Sequence, residues 1–410
     1  MPALSSPVFR RFLIGALIGN LGGFMQGTAQ GWLVIELTDS PALLGVTGAA
    51  AMAPTLLLSL VAGVYADRVD KRRLLVAMQL CGAVLSGVLA SLTTSGIVEF
   101  WHIAVLAFLS GSVLAIAGPS LQAIVSTIVE RDLLGSAIAM TSAQFNLARI
   151  VAPAIAGFAI AAGGLALGFW ANAAAFLAVA FIFASLPLPT PRALAGVQAA
   201  LWSDLADGLR YTAGDRLVAV LVLLAAVPGL FVLNYMALLP VYARDILEIG
   251  APGLGLLTGA IGVGALSAAI TLAVARPSGG SGRLVLGGLA MVALSLVVFA
   301  VSKSVPLSLL SLALLGAFQV TYYSTTNTLI QVLVPARLRG RVLSLYMLTS
   351  IGLIPIGNLV AGFVAEEVGA DVALAGGGVI TLAAAGLVAR LEPRLRTLRP
   401  EAATRRVEVG

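Results

Sequence analysis

Charged residues divide this chain into a series of long apolar runs, and this pattern limits its fold more than any other feature. The uncharged runs cover residues 12–35, 40–66, 74–98, 100–129, 133–148, 150–191, 217–243, 249–275, 284–302, 304–336, 342–365 and 372–389. A helix needs about 20 apolar residues to cross a bilayer, and most of these runs are that long. The composition agrees, since 60% of the residues are hydrophobic and only 10% are charged. The sequence therefore predicts an all-α integral membrane protein.

The number of spans and their orientation follow from the charges between the runs. Residues 133–191 are interrupted by Arg149 alone and contain the pair Gly163-Gly164, so we divide them into two spans and expect twelve transmembrane helices in total. With the N-terminus in the cytoplasm, all of the 24 basic residues except Arg149, Arg244 and Lys303 fall on the cytoplasmic side. Because cytoplasmic loops carry the excess of Lys and Arg, we expect both termini to be cytoplasmic.

An internal repeat relates the two halves of the chain at an offset of 205 residues. Its members align without gaps: Val129, Leu133, Gly135, Gly157, Phe158 and Gly164 with Val334, Leu338, Gly340, Gly362, Phe363 and Gly369. Parallel repeats of this kind are typical of secondary transporters with a binding site between the repeats. We therefore expect two pseudo-repeated six-helix bundles, at 1–186 and 216–391, joined by a cytoplasmic linker with an amphipathic helix at 187–215. A basic cytoplasmic tail follows at 392–410.

The composition excludes several other classes of function. The basic residues that give the net charge of +6 are scattered between apolar runs, which argues against nucleic-acid binding. One His and one Cys make a metal site improbable, and no Lys stands in a phosphate-binding glycine loop. Paired intramembrane carboxylates and an activated nucleophile are also absent from the sequence. We expect no metal, no cofactor and no enzymatic activity.

The loop after the second span carries a recognisable motif. It reads Gly63, Val64, Tyr65, Ala66, Asp67, Arg68, Val69, Asp70, Lys71, Arg72 and Arg73. This resembles the signature loop of the major facilitator superfamily, from which it departs by Asp70 in place of Gly and by Lys71. The resemblance implies the major facilitator fold and a conformational latch formed by Gly63, Asp67, Arg68, Lys71 and Arg72. The alternative is that these residues are a plain topology signal.

Further segments resemble one branch of that superfamily. They are Phe9 to Phe12, Asn20 to Gly22, Gly31 to Thr38, Asp207 to Tyr211 and Leu238 to Ala243. They are similar to the drug:proton antiporters that include enterobactin-type siderophore exporters and macrolide efflux proteins. The resemblance implies export of an amphipathic small molecule, and we expect a monomeric multi-pass protein of the bacterial inner membrane. Its energy source would be the proton gradient, and its partners the lipid bilayer, the substrate and protons.

Span five contains a glycine and proline pattern together with an intramembrane charge. The segment with Arg149, Pro153 and Gly157 is similar to the antiporter motif of the export branches. Pro153 removes a backbone hydrogen bond and kinks the helix, and an Arg inside a span costs about 2.5–3.5 kcal/mol to insert. We expect Arg149 to act in coupling with an anionic substrate group or with Glu36 through water. The alternatives are a packing kink and a structural arginine.

A polar face of amides and phenols predicts the substrate cavity. Span ten carries its polar residues at helical spacing, and the resembled family lines its cavity with spans one, four, seven and ten. The expected cavity residues are Gln26, Gln30, Gln122, Asn146, Asn234, Tyr235, Gln319, Tyr322, Tyr323 and Asn327. Apolar walls with such groups suit an amphipathic ligand, while the alternative is polar bonding between helices.

Two other functions remain open at this point. One is a major facilitator that imports or passively conducts a small metabolite. The other is a membrane protein without transport activity, such as an enzyme, a receptor or an assembly scaffold.

Overall fold

The computed structural model describes residues 2–66, 69–187, 201–275 and 282–398 of the chain. Within these ranges the chain is almost entirely helical and contains no strand. Twelve described segments are long and apolar enough to cross a membrane. The predicted all-α membrane fold with twelve spans is therefore confirmed.

Ten of the twelve spans are single helices, and two are broken. The first six are α1 (Pro7–Thr38), α2 (Pro41–Ala66), α3 (Lys71–Thr94), α4 (Phe100–Ile128), α5 (Leu134–Gly163) and α6 (Leu165–Ser185). After α7 (Leu201–Gly214), span seven consists of α8 (Arg216–Phe231), α9 (Tyr235–Val241) and a π-helical turn (Tyr242–Ile246). Spans eight to ten are α10 (Gly250–Ala275), α11 (Gly282–Val301) and α12 (Val305–Leu333). Span eleven is α13 (Ala336–Ser350) and α14 (Ile354–Val368), and α15 (Ala370–Leu391) and α16 (Pro393–Thr397) complete the chain.

The first compact unit comprises Met1–Val197 together with Ala243–Gly259. In it α1 packs against α5 and α6, α2 packs against α4, and α3 packs against α4 and α6. The start of α1 is fixed by aromatic residues, since the Phe12 and Phe183 rings stack with centroids 6.4 Å apart. These contacts bury one side of each helix and leave the other side for lipid.

The second compact unit comprises Gln198–Tyr242 together with Ala260–Gly410. Here α11 packs against α12 and α15, and α13 packs against α7 and α8. The helix α7 lies in the stretch where the sequence predicts an amphipathic helix. The predicted basic tail begins with α16, which packs on α11 with Leu395 fully buried. Glu392, just before α16, pairs with Arg216 at 2.9 Å.

Equivalent glycines of the two halves have the same local geometry. Gly164 and Gly369 separate spans five and six and spans eleven and twelve, and their φ angles are 80° and 100°. A Cβ built on Gly111 would lie 2.1 Å from the carbonyl oxygen of Ala51, and one on Gly316 would lie 2.2 Å from that of Ile261. Both pairs of positions are 205 residues apart in the chain. The repeat found in the sequence thus recurs in the structure as left-handed turns and close helix contacts.

The boundary of the first unit differs from the predicted boundary between the halves. The segment Ala243–Gly259 groups with the first unit, although the sequence assigns it to 216–391. The reason is a tight backbone contact between α5 and the start of α10. A Cβ on Gly157 would lie 2.5 Å from the carbonyl oxygen of Ala251, and one on Gly255 would lie 2.5 Å from that of Pro153.

The glycine contact between α10 and α12 predicts a strong effect of one methyl group. We expect Gly316→Ala to destabilise the protein by about 1–3 kcal/mol, because the new methyl group would meet backbone atoms that have no room to move. Thermal unfolding in detergent, followed by size-exclusion chromatography, measures this effect. The matched control is Gly287→Ala, since a Cβ there has no neighbour within 4 Å. Equal melting temperatures for both variants would contradict the prediction.

Candidate substrate site

The two broken spans of the second unit cross at their breaks. Span seven is interrupted after Phe231 and span eleven after Ser350. A Cβ on Gly229 would lie 2.8 Å from the carbonyl oxygen of Ser350, and one on Gly357 would lie 2.7 Å from that of Gly229. Broken helices inside a membrane occur where backbone groups line a cavity or another helix satisfies them. This crossing is therefore a candidate site for binding and for hinge motion.

Asn234 occupies the break in span seven and is almost completely buried. Its Nδ2 donates to the carbonyl oxygens of Leu230, at 3.1 Å, and Gly357, at 3.3 Å. The two bonds fix the orientation of the amide, and its buried Oδ1 accepts no hydrogen bond from a described residue. A buried acceptor without a donor costs about 1–3 kcal/mol. Asn234 thus offers a hydrogen-bond acceptor to a water molecule or a ligand.

Three phenols from three different spans come together near this crossing. Tyr323 of α12 lies within electrostatic range of Tyr235 in span seven and Tyr346 in span eleven. Tyr346 Oη donates to the carbonyl oxygen of Tyr323 at 3.4 Å, and Tyr323 Oη is buried without a hydrogen-bond partner among the described residues. The sequence prediction included Tyr235 and Tyr323 but missed Tyr346. A single aromatic residue in span eleven carries no periodic signal, so only the packing of that span reveals it.

Tyr322 differs from its neighbour and belongs to the core of the second unit. Its side chain is 1% exposed, and its backbone lies 3.5 Å from where a Cβ on Gly288 of α11 would be. Successive helical residues point about 100° apart, so Tyr322 and Tyr323 face different surroundings. Tyr322 packs between α12 and α11, and its place in a substrate cavity stays a prediction.

Gln319 and Asn327, the other predicted cavity residues of α12, are both half-buried. Gln319 lies one turn before Tyr323, on the same side of the helix, and is half-buried. Asn327 is one turn further on, and its Oδ1 accepts a hydrogen bond from Gln331 Nε2. Gln319, Tyr323 and Asn327 therefore form one polar stripe, as the i, i+4, i+8 spacing predicts.

Gln26 of the first unit lies in a helix interface. Its Oε1 accepts hydrogen bonds from Ser86 Oγ of α3, at 2.7 Å, and from Asn172 Nδ2 of α6, at 2.6 Å. All three side chains are buried. The Gln26 side-chain oxygen thus holds three helices together, and the role of Gln26 in a substrate cavity stays a prediction.

The remaining predicted amides of the first unit occupy different surroundings. Gln30 is half-buried in α1, and Asn146 Nδ2 donates within α5 to the carbonyl oxygen of Ser142 at 2.9 Å. Gln122 belongs to α4, but its side chain lies outside the described part of the chain. The sequence prediction missed the bond from Asn20 Nδ2 to Gln144 Oε1, at 3.2 Å, which joins α1 to α5.

This bond and an aromatic contact set the register of α1 and α5. The Phe24 and Phe145 rings meet edge to face at 5.5 Å, so residues 20–24 of α1 lie beside residues 144–145 of α5. On this register Arg149 is level with about Met25–Thr28, and Glu36 lies roughly 12–16 Å further along the membrane normal. The structure thus separates the two charged residues that the sequence predicts to act in coupling.

Arg149 begins the small-residue stripe of α5. It is half-buried in the middle of the helix, and Pro153 and Gly157 follow on the same side and are buried. These two residues form the tight contact with the start of α10 described above. The stripe therefore serves helix packing in the first unit and places a cation one turn before the proline.

Glu36 is exposed, and an ion pair forms beside it at the end of α1. Arg244 Nη1 donates to the carbonyl oxygen of Ile35 at 2.5 Å, and Arg244 also pairs with Asp39 and Asp245. Asp39 has a left-handed conformation with φ of 52° and ends the helix. Arg244 thus caps the last turn of α1, where a cation is favoured by the helix dipole.

The predicted latch is only partly described. Asp67 and Arg68 lie outside the described residues, and Gly63 is near the end of α2. Lys71 begins α3, and Arg72 Nη2 donates to the carbonyl oxygen of Ala184 at the end of α6. Asp70 Oδ1 accepts a hydrogen bond from Arg73 N at 2.9 Å and caps α3. This N-cap interaction is a structural reason for Asp70, where the family pattern has Gly.

The contacts of Gln26 predict that its amide stabilises the fold more than an amide without such contacts does. We expect Gln26→Ala to lower the free energy of unfolding by about 1–3 kcal/mol, because Ser86 and Asn172 would lose their shared acceptor. The control is Gln30→Ala, one turn away and half-buried. Thermal unfolding of both variants in the same detergent tests this. A Gln30→Ala variant that is equally destabilised would show that the loss does not come from the three-residue interaction.

Comparisons with known proteins agree with this architecture. The family model described as transmembrane secretion effector matches residues 1–406. The multidrug efflux pump Tap of Mycobacterium tuberculosis is 30% identical over 407 residues, covering 94% of this chain and 93% of Tap. The staphyloferrin A transporter of Staphylococcus aureus is 26% identical over 364 residues, covering 87% of this chain and 89% of that protein.

A solved structure shows the same fold at low sequence identity. The D-xylose-proton symporter superposes with a TM-score of 0.73 at 15% identity, covering 94% of this chain and 97% of the symporter. Among the described residues no three His, Cys, Asp or Glu side chains form a group that could hold a metal ion. The protein is a multi-pass membrane transporter and not an enzyme, and the chain belongs to the transmembrane secretion effector family of the major facilitator superfamily.

Proposed function

We propose that the protein is a proton-coupled exporter of amphipathic organic compounds that works by alternating access. The observation that carries this proposal is the crossing of spans seven and eleven beside the buried phenols and Asn234. The break in each helix gives the second unit a hinge. The polar groups beside the two breaks can form hydrogen bonds with a ligand. The relatives named as a multidrug efflux pump and a siderophore transporter support export as the direction.

The chemistry of the second-unit site supports an amphipathic substrate. Tyr235, Tyr323 and Tyr346 offer ring faces and hydroxyl groups, and Asn234 offers a buried acceptor. Aromatic rings give a large apolar contact with little directional demand, while a few polar groups orient the ligand. This combination fits a drug or a siderophore-like metabolite better than a small polar sugar.

Energy coupling is proposed to come from the proton gradient without a cofactor. Arg149 is a cation within α5, and a cation at such a site favours the ionised form of an acidic group that approaches it. Glu36 is too far along the helix for direct contact, so the partner would be an anionic group of the substrate or Glu36 through water. Proton binding to that group would weaken its attraction to Arg149 and allow release.

The proposed setting is the bacterial inner membrane with both termini in the cytoplasm. The positive-inside rule supports this orientation, because it leaves two loop cations, Arg244 and Lys303, on the outer side. Arg244 forms ion pairs with Asp39 and Asp245 there. We further propose that the protein acts as a monomer whose partners are lipid, substrate and protons.

Inverted membrane vesicles provide the test of the proposed function. The expected result is accumulation of a tetracycline, a macrolide or a siderophore inside vesicles with an acidic interior, and its loss when an ionophore collapses the pH gradient. Vesicles without the protein are the control. Substrate entry that stops at equal concentrations and does not respond to the ionophore would indicate a uniporter, and substrate movement out of the vesicles would indicate an importer.

The polar stripe of α12 predicts a change of specificity. Tyr323→Ala and Gln319→Ala should alter the relative export of different compounds more than they alter protein abundance, because ring and amide contacts select among ligands. Resistance spectra and immunoblots of the same cells measure both quantities. The control is Ser324→Ala, an exposed residue of the same turn. Unchanged spectra for both variants would assign the stripe to helix packing.

We predict that substitution of Arg149 affects energy coupling but not folding. We expect Arg149→Ala to fold, because replacing a half-buried cation inside a span removes a desolvation cost. The variant should nonetheless lose transport driven by the pH gradient, whereas Arg149→Lys should retain part of it through its charge. Melting temperature and ionophore-sensitive uptake are the two measurements. A variant that is unstable, or one that is stable and fully active, contradicts the coupling role.

A further inference from the structure

A polar cavity of about 490 Å³ lies on the second unit, where α7 meets the beginning of α13. The described residues that line it are Asp207, Arg210, Tyr211, Arg337, Leu338 and Arg341. None of them belongs to the candidate substrate site. The cavity is thus a separate feature with its own chemistry.

Close packing holds the two helices at the cavity together. Gly208 is buried in α7, and a Cβ there would lie 3.1 Å from Cβ of Arg341 and 3.3 Å from its carbonyl oxygen. The side chains on either side of this contact are joined by an ion pair, from Arg341 Nη1 to Asp207 Oδ2 at 2.7 Å. The arginine on α13 therefore has a fixed position in the cavity wall.

The described lining carries more positive than negative charge. Three guanidinium groups face one carboxylate, which leaves an excess of two positive charges. Asp207 is shared between Arg341 and Arg210, and the distance to Arg210 Nη1 is 3.5 Å. The Arg210 side chain is 82% exposed, and Arg337 forms no ion pair with a described residue. The cavity thus has the charge to bind an anion.

The start of α13 adds to this positive potential. Its first turn contains no acidic residue, and Pro335 at the N-cap supplies no side-chain hydrogen bond. The N-terminus of a helix carries about half a positive charge, so Arg337, in the first turn, lies where a cation is disfavoured. A bound anion would offset this repulsion.

We propose that this cavity binds the phosphate group of an anionic phospholipid at the membrane surface. Arginine forks suit phosphate oxygens because they donate two parallel hydrogen bonds. A free phosphate ester has the same chemistry, but the position of the cavity favours a lipid. It lies where α12 ends and α13 begins and where α7 leads into span seven, and lipid headgroups are expected at these ends of three apolar spans. Leu338 lines the cavity, and Leu209 beside Arg210 is 59% exposed and available to an acyl chain.

Tyr211 supplies a neutral donor at the same place. Burial raises the pKa of its phenol, and the charge of nearby Asp215 raises it further. The hydroxyl group therefore keeps its proton at physiological pH and is suited to donate to a phosphate oxygen.

Binding of a fluorescent short-chain phosphatidylglycerol to the full-length protein in detergent tests the proposal. Each lost charge at the surface should weaken binding by about fivefold, so Arg210→Gln and Arg337→Gln should each have that effect and the double variant about twenty-fivefold. The matched control is Arg390→Gln, an exposed residue at the end of α15 outside the cavity lining. It should change the affinity by less than about twofold.

A variant that is expected to bind more tightly separates a specific effect on the site from misfolding. Asp207→Asn removes the carboxylate of the cavity and should strengthen phosphatidylglycerol binding by about fivefold, which a damaged fold would not do. Short-chain phosphatidylcholine should compete poorly, and glycerol phosphate should compete only at far higher concentration than phosphatidylglycerol. Unchanged affinity in the double variant, or equal loss in Arg390→Gln, would overturn the site. Glycerol phosphate that competes as well as phosphatidylglycerol would overturn the lipid as its occupant.

Discussion

Close approach of helix backbones at glycine positions is the interaction on which this structure depends. In a bilayer the lipid tails are as apolar as leucine, so burial of apolar surface gives little drive for helices to associate. Packing must supply that drive, and it is strongest where no side chain separates the backbones. Gly111 against Ala51 in the first unit and Gly316 against Ile261 in the second provide such contacts at equivalent places. The two-fold recurrence of these contacts is the physical content of the sequence repeat.

Backbone groups inside the membrane need hydrogen-bond partners, and this requirement explains where the fold departs from straight helices. A broken span exposes carbonyl and amide groups that lipid cannot satisfy. In the second unit the breaks of spans seven and eleven face each other, and Asn234 donates to carbonyl oxygens on both sides. One acceptor, Asn234 Oδ1, is left over, and three phenols lie nearby. Pairing two breaks makes both tolerable and concentrates the polar groups of the unit in one place.

Polar side chains inside the helices have two different uses, which residue type does not distinguish. Gln26, Ser86 and Asn172 satisfy one another and hold α1, α3 and α6 together. Tyr323 and Asn234 each keep a buried oxygen without a hydrogen-bond partner among the described residues, and we propose that these oxygens bind the ligand. At the membrane surface the charges of Asp207, Arg210 and Arg341 likewise fix α7 against α13 while leaving a positive excess. The use of a polar side chain therefore depends on whether its hydrogen-bonding groups or its charge remain unpaired after the helices have packed.

The sequence by itself determined the twelve spans, the helical class, the repeat and the family, because hydropathy, charge placement and glycine spacing act locally along the chain. It also predicted the polar stripe of α12, since helical spacing places Gln319, Tyr323 and Asn327 on one side. Only the tertiary structure decided that Tyr322 faces the core, that Gln26 joins three helices, that Tyr346 meets Tyr323, and that Ala243–Gly259 packs with the first unit. The physical reason is rotation: a shift of about 100° around a helix axis changes which neighbour a side chain meets, and that angle is set by packing between helices distant in sequence.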